Sequence, residues 1–319
     1  MDLSSKSQNN IGVLLISHGS SLPYATSTFT EISKKFQENT EFPVEVGYMK
    51  VEKPSISEAI KNLSLNQIDK VIAMPVFLAD GIHTNIDIPI MLGLNPKETD
   101  PRSPDGTYPK DHYLNQVEDL DFNGEVVLLD SIGPDPLILE LIKNRIEEAV
   151  NTNNLNPEKT GVILISHGSR LNYNQKFITK LLEMFKEDSN YEATLGFMEL
   201  TSPSIPTAIN QFTKNNNFNH LIAVPVFIAP GVHTTCDIPS ILKLSPNNGE
   251  KSNSHHKHNH SNHSHGHGHS HGHSHNHYHN HGETEELKFE GDIIYLNPIG
   301  ADDLLIKILK QRVDEELNQ

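Results

Sequence analysis

Four histidines stand where two matching segments of the chain could do chemistry. His18 and His167 each end an apolar run, in Gly-Val-Leu-Leu-Ile-Ser-His-Gly and Gly-Val-Ile-Leu-Ile-Ser-His-Gly. His83 and His233 follow later in each copy, in the matching segments Gly-Ile-His-Thr and Gly-Val-His-Thr. Neutral imidazole is a common ligand of transition metals. Because each copy presents a histidine pair, the sequence predicts a site shared between two related halves.

The two copies repeat at an offset of 149 or 150 residues. For example, Pro54-Ser55-Ile56 recurs as Pro203-Ser204-Ile205. This period is too long for a solenoid, so it indicates two copies of one small domain. A chain of 319 residues is long enough for two domains with their own cores. We place an N-terminal domain at residues 1–155 and a C-terminal domain at residues 156–319.

Apolar runs alternate with segments of helical spacing in both halves. The runs Ile11–Ile16 and Val71–Phe77 predict strands that are buried on both faces, as in a parallel sheet. Strands that alternate with helices predict parallel βαβ units. The predicted fold class is therefore α/β, with two tandem domains that face each other across a cleft. Each domain should hold a four-stranded parallel β-sheet flanked by helices.

Two segments interrupt the pattern at the same place in the repeat. Residues 95–123 contain Pro, Asp and Lys and predict a surface loop. Their counterpart, at about 247–286, alternates His with Gly, Ser and Asn, so it cannot bury a core and is predicted to be disordered without metal. We interpret its histidines as an accessory collector of metal ions, with low-complexity drift as the alternative. These histidines, which we call the His tract (residues 255–281), are His255, His256, His258, His260, His263, His265, His267, His269, His271, His273, His275, His277, His279 and His281.

Composition excludes several classes of partner. A net charge of −16 leaves no basic stripe for nucleic acid. The chain lacks an apolar run of the ~20 residues that a membrane span needs, and its N-terminus lacks the apolar region of a signal peptide. The single cysteine, Cys236, fits a reducing compartment, so we expect a soluble cytoplasmic protein. Cys236 aligns with Ile86, which favours a buried apolar cysteine over a metal ligand.

The four motif histidines follow predicted strands, at the edge of a parallel sheet where ligands usually bind. A zinc hydrolase would need a third ligand, and the chain has neither His-Glu-x-x-His nor Cys-x-x-Cys. A histidine phosphatase would need Arg where Ser17 and Ser166 stand. Histidines that merely cap loops, copied with the rest of the domain, are the structural alternative.

In combination, the motifs resemble a known family. The strand-His-Gly-Ser opening, Phe-Met-Glu-Leu-x-x-Pro-Ser-Ile at 197–205 and Pro-Val-Phe-Ile-Ala-Pro-Gly-Val-His-Thr at 225–234 resemble the CbiX-type class II tetrapyrrole chelatases, in their long two-domain form with a His-rich segment. The resemblance covers nearly the whole chain, once per half. It implies a lyase-type enzyme, a sirohydrochlorin cobaltochelatase or nickelochelatase, that acts without ATP in cobalamin or coenzyme F430 biosynthesis. The metal is then a substrate, and no permanently bound cofactor is expected.

The resemblance also assigns site residues. The family's acidic residue falls on Glu199, whereas the first half has Lys50 at that place and Glu52 two residues on. We therefore expect the second half to be the complete site and the first half to keep a competent histidine pair. The residues to which the resemblance gives catalytic and metal-binding roles are His18, His83, His167, Glu199 and His233.

Sirohydrochlorin carries eight carboxylates, so local donors must offset the negative charge of the protein. The candidate substrate-binding residues follow the histidine motifs or precede them closely. Arg170 is the best of these, because its guanidinium group can form two parallel hydrogen bonds to a carboxylate. The alternative is that Arg170 is a solvated surface residue. The full set is Ser20, Ser169, Arg170, Gly81 and Gly231.

The alternative function is a nickel or cobalt store, or a metallochaperone, on a chelatase-like scaffold. A store would need only the His tract and would tolerate the loss of His167 and His233. The enzyme is favoured because the four motif histidines lie outside that tract. Since the duplication supplies what a homodimer of short chains would supply, we expect a monomer whose partners are sirohydrochlorin and Co²⁺ or Ni²⁺.

Overall fold

Each half of the protein contains one parallel sheet. The structure is a computed structural model that describes residues 10–20, 23–244 and 285–318. The strands in these ranges are β1 (Ile11–Ser17), β2 (Val44–Tyr48), β3 (Lys70–Pro75), β4 (Glu125–Leu128), β5 (Thr160–Ser166), β6 (Ala193–Phe197), β7 (His220–Pro225) and β8 (Asp292–Tyr295). The first sheet has the order β2-β1-β3-β4 and the second the order β6-β5-β7-β8, with every pairing parallel.

Helices flank both sheets. Those in the described ranges are α1 (Pro23–Glu38), α2 (Ile56–Ser64), α3 (Ile88–Met91), α4 (Pro136–Thr152), α5 (Tyr173–Glu187), α6 (Ile205–Lys214), α7 (Ile238–Ile241) and α8 (Asp303–Leu317). Of the helices so described, none has the length and apolarity that crossing a membrane requires. The α/β fold class is confirmed, and both halves have the same order of elements. The boundary at 155/156 stays a prediction; the chain passes from α4 to β5 through residues 153–159.

The central strands are covered on both faces, as their apolar sequences predict. Val13, Leu14, Leu15 and Ile16 in β1 are all fully buried. Because successive side chains point to opposite faces, such a strand needs protein on each side of its sheet.

The buried apolar residues form three clusters. Leu14 and Ile16 belong to a cluster confined to the first half, and Ile163 and Ile165 belong to one confined to the second. The alternate residues of β1 and β5 instead share a central cluster with apolar side chains of α1, α4, α5 and α8. These four helices therefore pack against both sheets, and the two halves share one core.

Two arginines make the same contacts in exchanged form. Arg145 lies in α4 and Arg312 lies at the matching place in α8. Such an exchange is what a two-fold axis produces at an interface, so the halves are related by an approximate two-fold. Each arginine donates to the turn before the other half's last helix: Arg145 to Ile299 O at 2.6 Å and Asp302 Oδ2 at 3.1 Å, and Arg312 to Ile132 O at 3.3 Å and Asp135 Oδ2 at 3.1 Å.

We expect Arg145→Met to lower the free energy of unfolding by about 2–3 kcal/mol, because it leaves backbone carbonyls and a carboxylate at the interface without their donor. Urea unfolding followed by circular dichroism measures this. Lys143→Met is the matched control, since Lys143 lies on the same helix and pairs with Asp188, whose side chain is 68% exposed. Its effect should stay within about 0.5 kcal/mol. Equal losses in the two variants would contradict the role given to Arg145.

Candidate functional site

The turn after the first strand of each half depends on a glycine. Gly19 and Gly168 have φ of +83° and +91°, a conformation that side chains disfavour. A Cβ would lie 1.9 Å from Lys50 O at Gly19 and 1.8 Å from Glu199 O at Gly168. The glycines therefore let the histidine-bearing turn pack directly on the loop that follows the second strand.

The later histidine of each half begins a π-helical turn. These turns, His83–Asp87 and His233–Asp237, continue into α3 and α7. Such wide turns are frequent at functional sites. The Nδ1 atoms of His83 and His233 lie 2.5 Å from Asp87 Oδ2 and 2.7 Å from Asp237 Oδ2, respectively. Each turn thus carries a histidine together with the carboxylate that orients it.

All four histidines use the same ring nitrogen, Nδ1, for a hydrogen bond to the protein. Nδ1 of His18 and of His167 contacts the carbonyl oxygen of the next residue, at 3.0 and 2.9 Å. Carbonyl and carboxylate oxygens accept hydrogen bonds, so Nδ1 of each of the four rings is the donor. Nε2 then keeps its lone pair and is available to a metal ion or a proton.

The structure brings the histidines together in pairs. The ring centroids of His18 and His83 lie 5.0 Å apart, and those of His167 and His233 lie 4.8 Å apart. In the second half, Glu199 Oε1 lies 3.5 Å from His167 Nε2. Two acceptors that face each other at this distance favour a cation or a proton between them.

Both pairs line one cleft between the halves. Its volume is about 710 Å³, within the usual range for a small-molecule site. Apolar segments, 76–79 from the first half and 226–229 from the second, form much of its wall. The predicted shared cleft is therefore present.

The predicted substrate-binding residues separate into two groups. Ser20, Ser169, Gly81 and Gly231 line the cleft. Arg170 is exposed and, among the residues described, is not part of the cleft wall. The structure thus brings four of these five predicted residues to the site.

A buried network in the first half was missed by the sequence analysis. The Asp87 carboxylate is fully buried and accepts hydrogen bonds from Tyr113 Oη at 2.5 Å and from the Arg102 guanidinium. Arg102 also donates to Asp100 Oδ2 at 2.7 Å. The prediction of a surface loop for residues 95–123 is therefore wrong at Asp100, which is buried and paired with Arg102, whereas Arg102 itself stays partly exposed. One signal was available, since Asp-Ile-Pro recurs four residues after the later histidine of each half.

The network shifts several pKa values. Hydrogen bonds from Arg102 hold the pKa of Asp100 at about 2. Burial opposes the charge of Asp87, but hydrogen bonds from His83, Arg102 and Tyr113 outweigh it and lower the pKa of Asp87. Both carboxylates are therefore ionised at neutral pH. The Asp87 carboxylate accepts the hydrogen bond from His83 Nδ1 and so fixes the orientation of the His83 ring.

The matching turn of the second half is more open. The side chain of Asp237 is 45% exposed, whereas that of Asp87 is fully buried. Cys236 is exposed, so the prediction of a buried cysteine is wrong. In the first half the following segment packs back on the turn, where Lys97 N donates to Asn85 O, whereas much of the corresponding segment of the second half lies outside the described residues.

Lys50 occupies the place of Glu199 in the first half. Lys50 N donates to His18 O at 3.2 Å, and Glu199 N donates to His167 O at 3.0 Å. Desolvation by the surrounding protein lowers the pKa of His18, and the nearby Lys50 ammonium lowers it further. The side chain at this place is thus a cation in the first half and a carboxylate in the second.

Glu52 does not take over the place of Lys50. It accepts a hydrogen bond from Thr26 Oγ1 and lines the cleft wall. Within the described ranges, His, Cys, Asp and Glu side chains form no group of three or more that is arranged to hold a metal ion. The predicted accessory ligands of the His tract lie outside those ranges.

Comparison with known proteins identifies the family. The family model CbiX matches residues 12–149 and 161–316, once in each half. The chain belongs to the CbiX family. The resemblance seen in the sequence motifs is therefore confirmed.

Known relatives match stretches that are about as long as one half of this chain. A sirohydrochlorin cobaltochelatase of Methanothermobacter thermautotrophicus is 39% identical over 150 residues, which cover 47% of this chain and 100% of that protein. A second, from Methanopyrus kandleri, is 38% identical over 141 residues, which cover 44% of this chain and 97% of that protein. These relatives are thus about as long as one half of the chain.

Two solved structures match nearly the whole chain. SirB from Bacillus subtilis with Fe³⁺ has a TM-score of 0.65 at 14% identity, and the match covers 96% of this chain and 95% of SirB. CbiX, the terminal enzyme of siroheme biosynthesis in denitrifying bacteria, has a TM-score of 0.53 at 16% identity, with 96% of this chain and 98% of that chain covered. At such identities the likeness establishes the two-domain fold.

We expect Gly168→Ala to lower the free energy of unfolding by about 2–4 kcal/mol, because the new Cβ meets the Glu199 carbonyl and the positive φ disfavours a side chain. The loop that carries Glu199 should move as a result. Gly231→Ala is the control, since a Cβ there has nothing within 4 Å. Urea unfolding of both variants measures the difference. A neutral Gly168→Ala would show that the close approach is not needed.

Proposed function

We propose that this protein inserts a divalent metal ion, Co²⁺ or Ni²⁺, into sirohydrochlorin without ATP, as part of cobalamin or coenzyme F430 biosynthesis. The observation that carries the proposal is the group in the second half, where Nε2 of His167 faces the Glu199 carboxylate beside His233. The names of the relatives support sirohydrochlorin as the substrate and cobalt as one metal. Nickel is supported by the chemistry alone, since imidazole binds both ions.

The site fits the chemistry of insertion. A tetrapyrrole loses two N–H protons as a divalent ion enters its ring. Neutral imidazoles with free Nε2 atoms bind such an ion and release it to the ring nitrogens. Glu199, whose side chain is only 15% exposed, either completes the coordination or accepts a pyrrole proton.

We place the reaction in the second half of the cleft. Glu199 carries negative charge next to one histidine pair, and Lys50 carries positive charge at the matching place next to the other. Glu199 therefore attracts a divalent cation to the second half, whereas Lys50 repels it from the first half. His18 and His83 would then contact the substrate from the opposite wall.

A store or metallochaperone explains fewer of these features. It would use the His tract and would have no need for two histidine pairs in a cleft of about 710 Å³. Mixing the purified protein with sirohydrochlorin and Co²⁺ or Ni²⁺ tests the enzyme directly, because insertion changes the absorbance spectrum. If the protein binds metal but the absorbance changes no faster than it does without protein, the store is favoured.

We expect His167→Ala and His233→Ala to slow insertion far more than they weaken binding of the tetrapyrrole. Glu199→Gln should slow the chemical step by about 10²-fold or more if the carboxylate accepts a proton. Steady-state insertion rates and tetrapyrrole titrations measure the two effects separately.

His18→Ala and His83→Ala are the matched comparison and should cost less, because Lys50 replaces the carboxylate in that half. Each variant must keep the melting transition of the parent protein. Full activity in the His167 and His233 variants, with inactive His18 or His83 variants, would place the site in the first half instead.

We also expect deletion of residues 253–282 to leave turnover at saturating metal within a few-fold, because the cleft histidines lie outside that segment. The number of bound metal ions should fall, and activity at scarce metal should fall with it. Metal analysis and rates at several Co²⁺ concentrations measure both. Loss of activity at saturating Co²⁺ in a folded deletion variant would show that the His tract belongs to the catalytic machinery.

A further inference from the structure

A second cavity adjoins the cleft in the first half, and we call it the side pocket. Its volume is about 340 Å³, and its wall includes Lys50, Glu52 and Tyr113. Glu52 lines both the side pocket and the cleft. Arg102, in the cleft wall, donates to Tyr113 Oη at 3.0 Å. The two cavities thus share a wall at the end of the cleft that holds the first histidine pair.

Lys50 enters this wall as a cation without a carboxylate partner. Its Nζ lies 3.8 Å from the centroid of the Tyr113 ring, and within the described part of the chain no carboxylate oxygen lies within 4.0 Å of it. By contrast, the neighbouring Lys53 pairs with Glu58 at 2.9 Å. Desolvation lowers the pKa of Lys50, which shows that its charge is held at a cost.

The acidic residues around the side pocket already have other partners. Glu118 accepts from Ser55 Oγ at 3.1 Å, and Glu52 accepts from Thr26 Oγ1. Asp87 is fully buried and bound to Arg102. Among the residues that the structure describes, Lys50 thus has no carboxylate of its own, and a carboxylate from a ligand can pair with it.

We propose that Lys50 binds a carboxylate of the substrate, with the side pocket receiving the side chain that carries it. This rests on the proposed function, which supplies a macrocycle with carboxylates on its rim. A volume of about 340 Å³ holds a short carboxyalkyl chain with water, since one water occupies ~30 Å³ of liquid. Tyr113 offers its ring to the ammonium and so keeps Lys50 in place when the pocket is empty.

The subsite gives the substrate one orientation in the cleft. Lys50 attracts a carboxylate at one wall, while Glu199, at the matching place, repels it at the other. The macrocycle is then anchored in the first half by its rim and meets the metal from the second. Lys50 is thus a binding residue that selects for carboxylated macrocycles.

The test compares Lys50→Met with Lys50→Arg and with Lys61→Met, an exposed lysine of α2, as the control. Binding of metal-free sirohydrochlorin is measured by fluorescence titration, and insertion of Co²⁺ by absorbance. We expect Lys50→Met to raise Kd and KM for sirohydrochlorin about 10- to 100-fold, the usual range for a lost charge-assisted hydrogen bond. The KM for Co²⁺ and kcat should stay within about two-fold. Lys50→Arg should recover most of the binding, and Lys61→Met should match the parent protein.

The outcomes separate this proposal from the proposed function. If the parent protein inserts metal and Lys50→Met binds sirohydrochlorin equally well, the subsite is wrong and the function stands. If binding depends on Lys50 but no insertion occurs, the subsite stands and the function fails. A parent protein that does not bind sirohydrochlorin overturns both. A loss in Lys50→Met that Lys50→Arg does not recover, with unchanged melting, shows packing rather than charge and also overturns the subsite.

Discussion

The packing of both sheets on one shared layer of helices is the constraint on which the rest of the molecule depends. The central apolar cluster joins side chains of β1 and β5 through α1, α4, α5 and α8. Arg145 and Arg312 then hold the turns at the ends of this layer in exchanged positions. With the helices fixed in this way, the carboxyl ends of both sheets face one cleft, and four histidines from distant parts of the chain meet there.

Within this frame the two walls of the cleft differ in how firmly they hold their histidines. In the first half, a fully buried Asp87 is fixed by Arg102 and Tyr113, so the His83 ring is set in advance. In the second half, Asp237 is half-exposed and holds His233 alone among the contacts described. A preset wall suits recognition of a rigid substrate, and a looser wall suits a group that must bind an ion and then release it.

Much of this architecture could be predicted because the two halves of the sequence repeat the same motifs. The apolar strands, the histidine after β1 and β5, and the exchange of Glu199 for Lys50 all follow from aligning the two halves. What could not be predicted arises where the copies differ. Arg102 lies in the 95–123 segment, and the second half has no segment of similar sequence. The pairing of Arg102 with Asp87 forms because this segment packs back on the turn that holds Asp87, a contact that hydrophobic periodicity does not predict. For the same reason, the sequence does not show that Cys236 is exposed although the matching residue, Ile86, is buried.

The continuous chain has a consequence for what each wall can become. In an assembly of two identical subunits, every substitution appears on both sides of the central cavity at once, so a lysine at one wall brings a lysine at the other. Here positions 50 and 199 are encoded separately, and one has become a cation while the other is an anion. Covalent fusion therefore permits a polarised cavity that strict symmetry forbids, and either wall is free to change its ligand preference without altering the other.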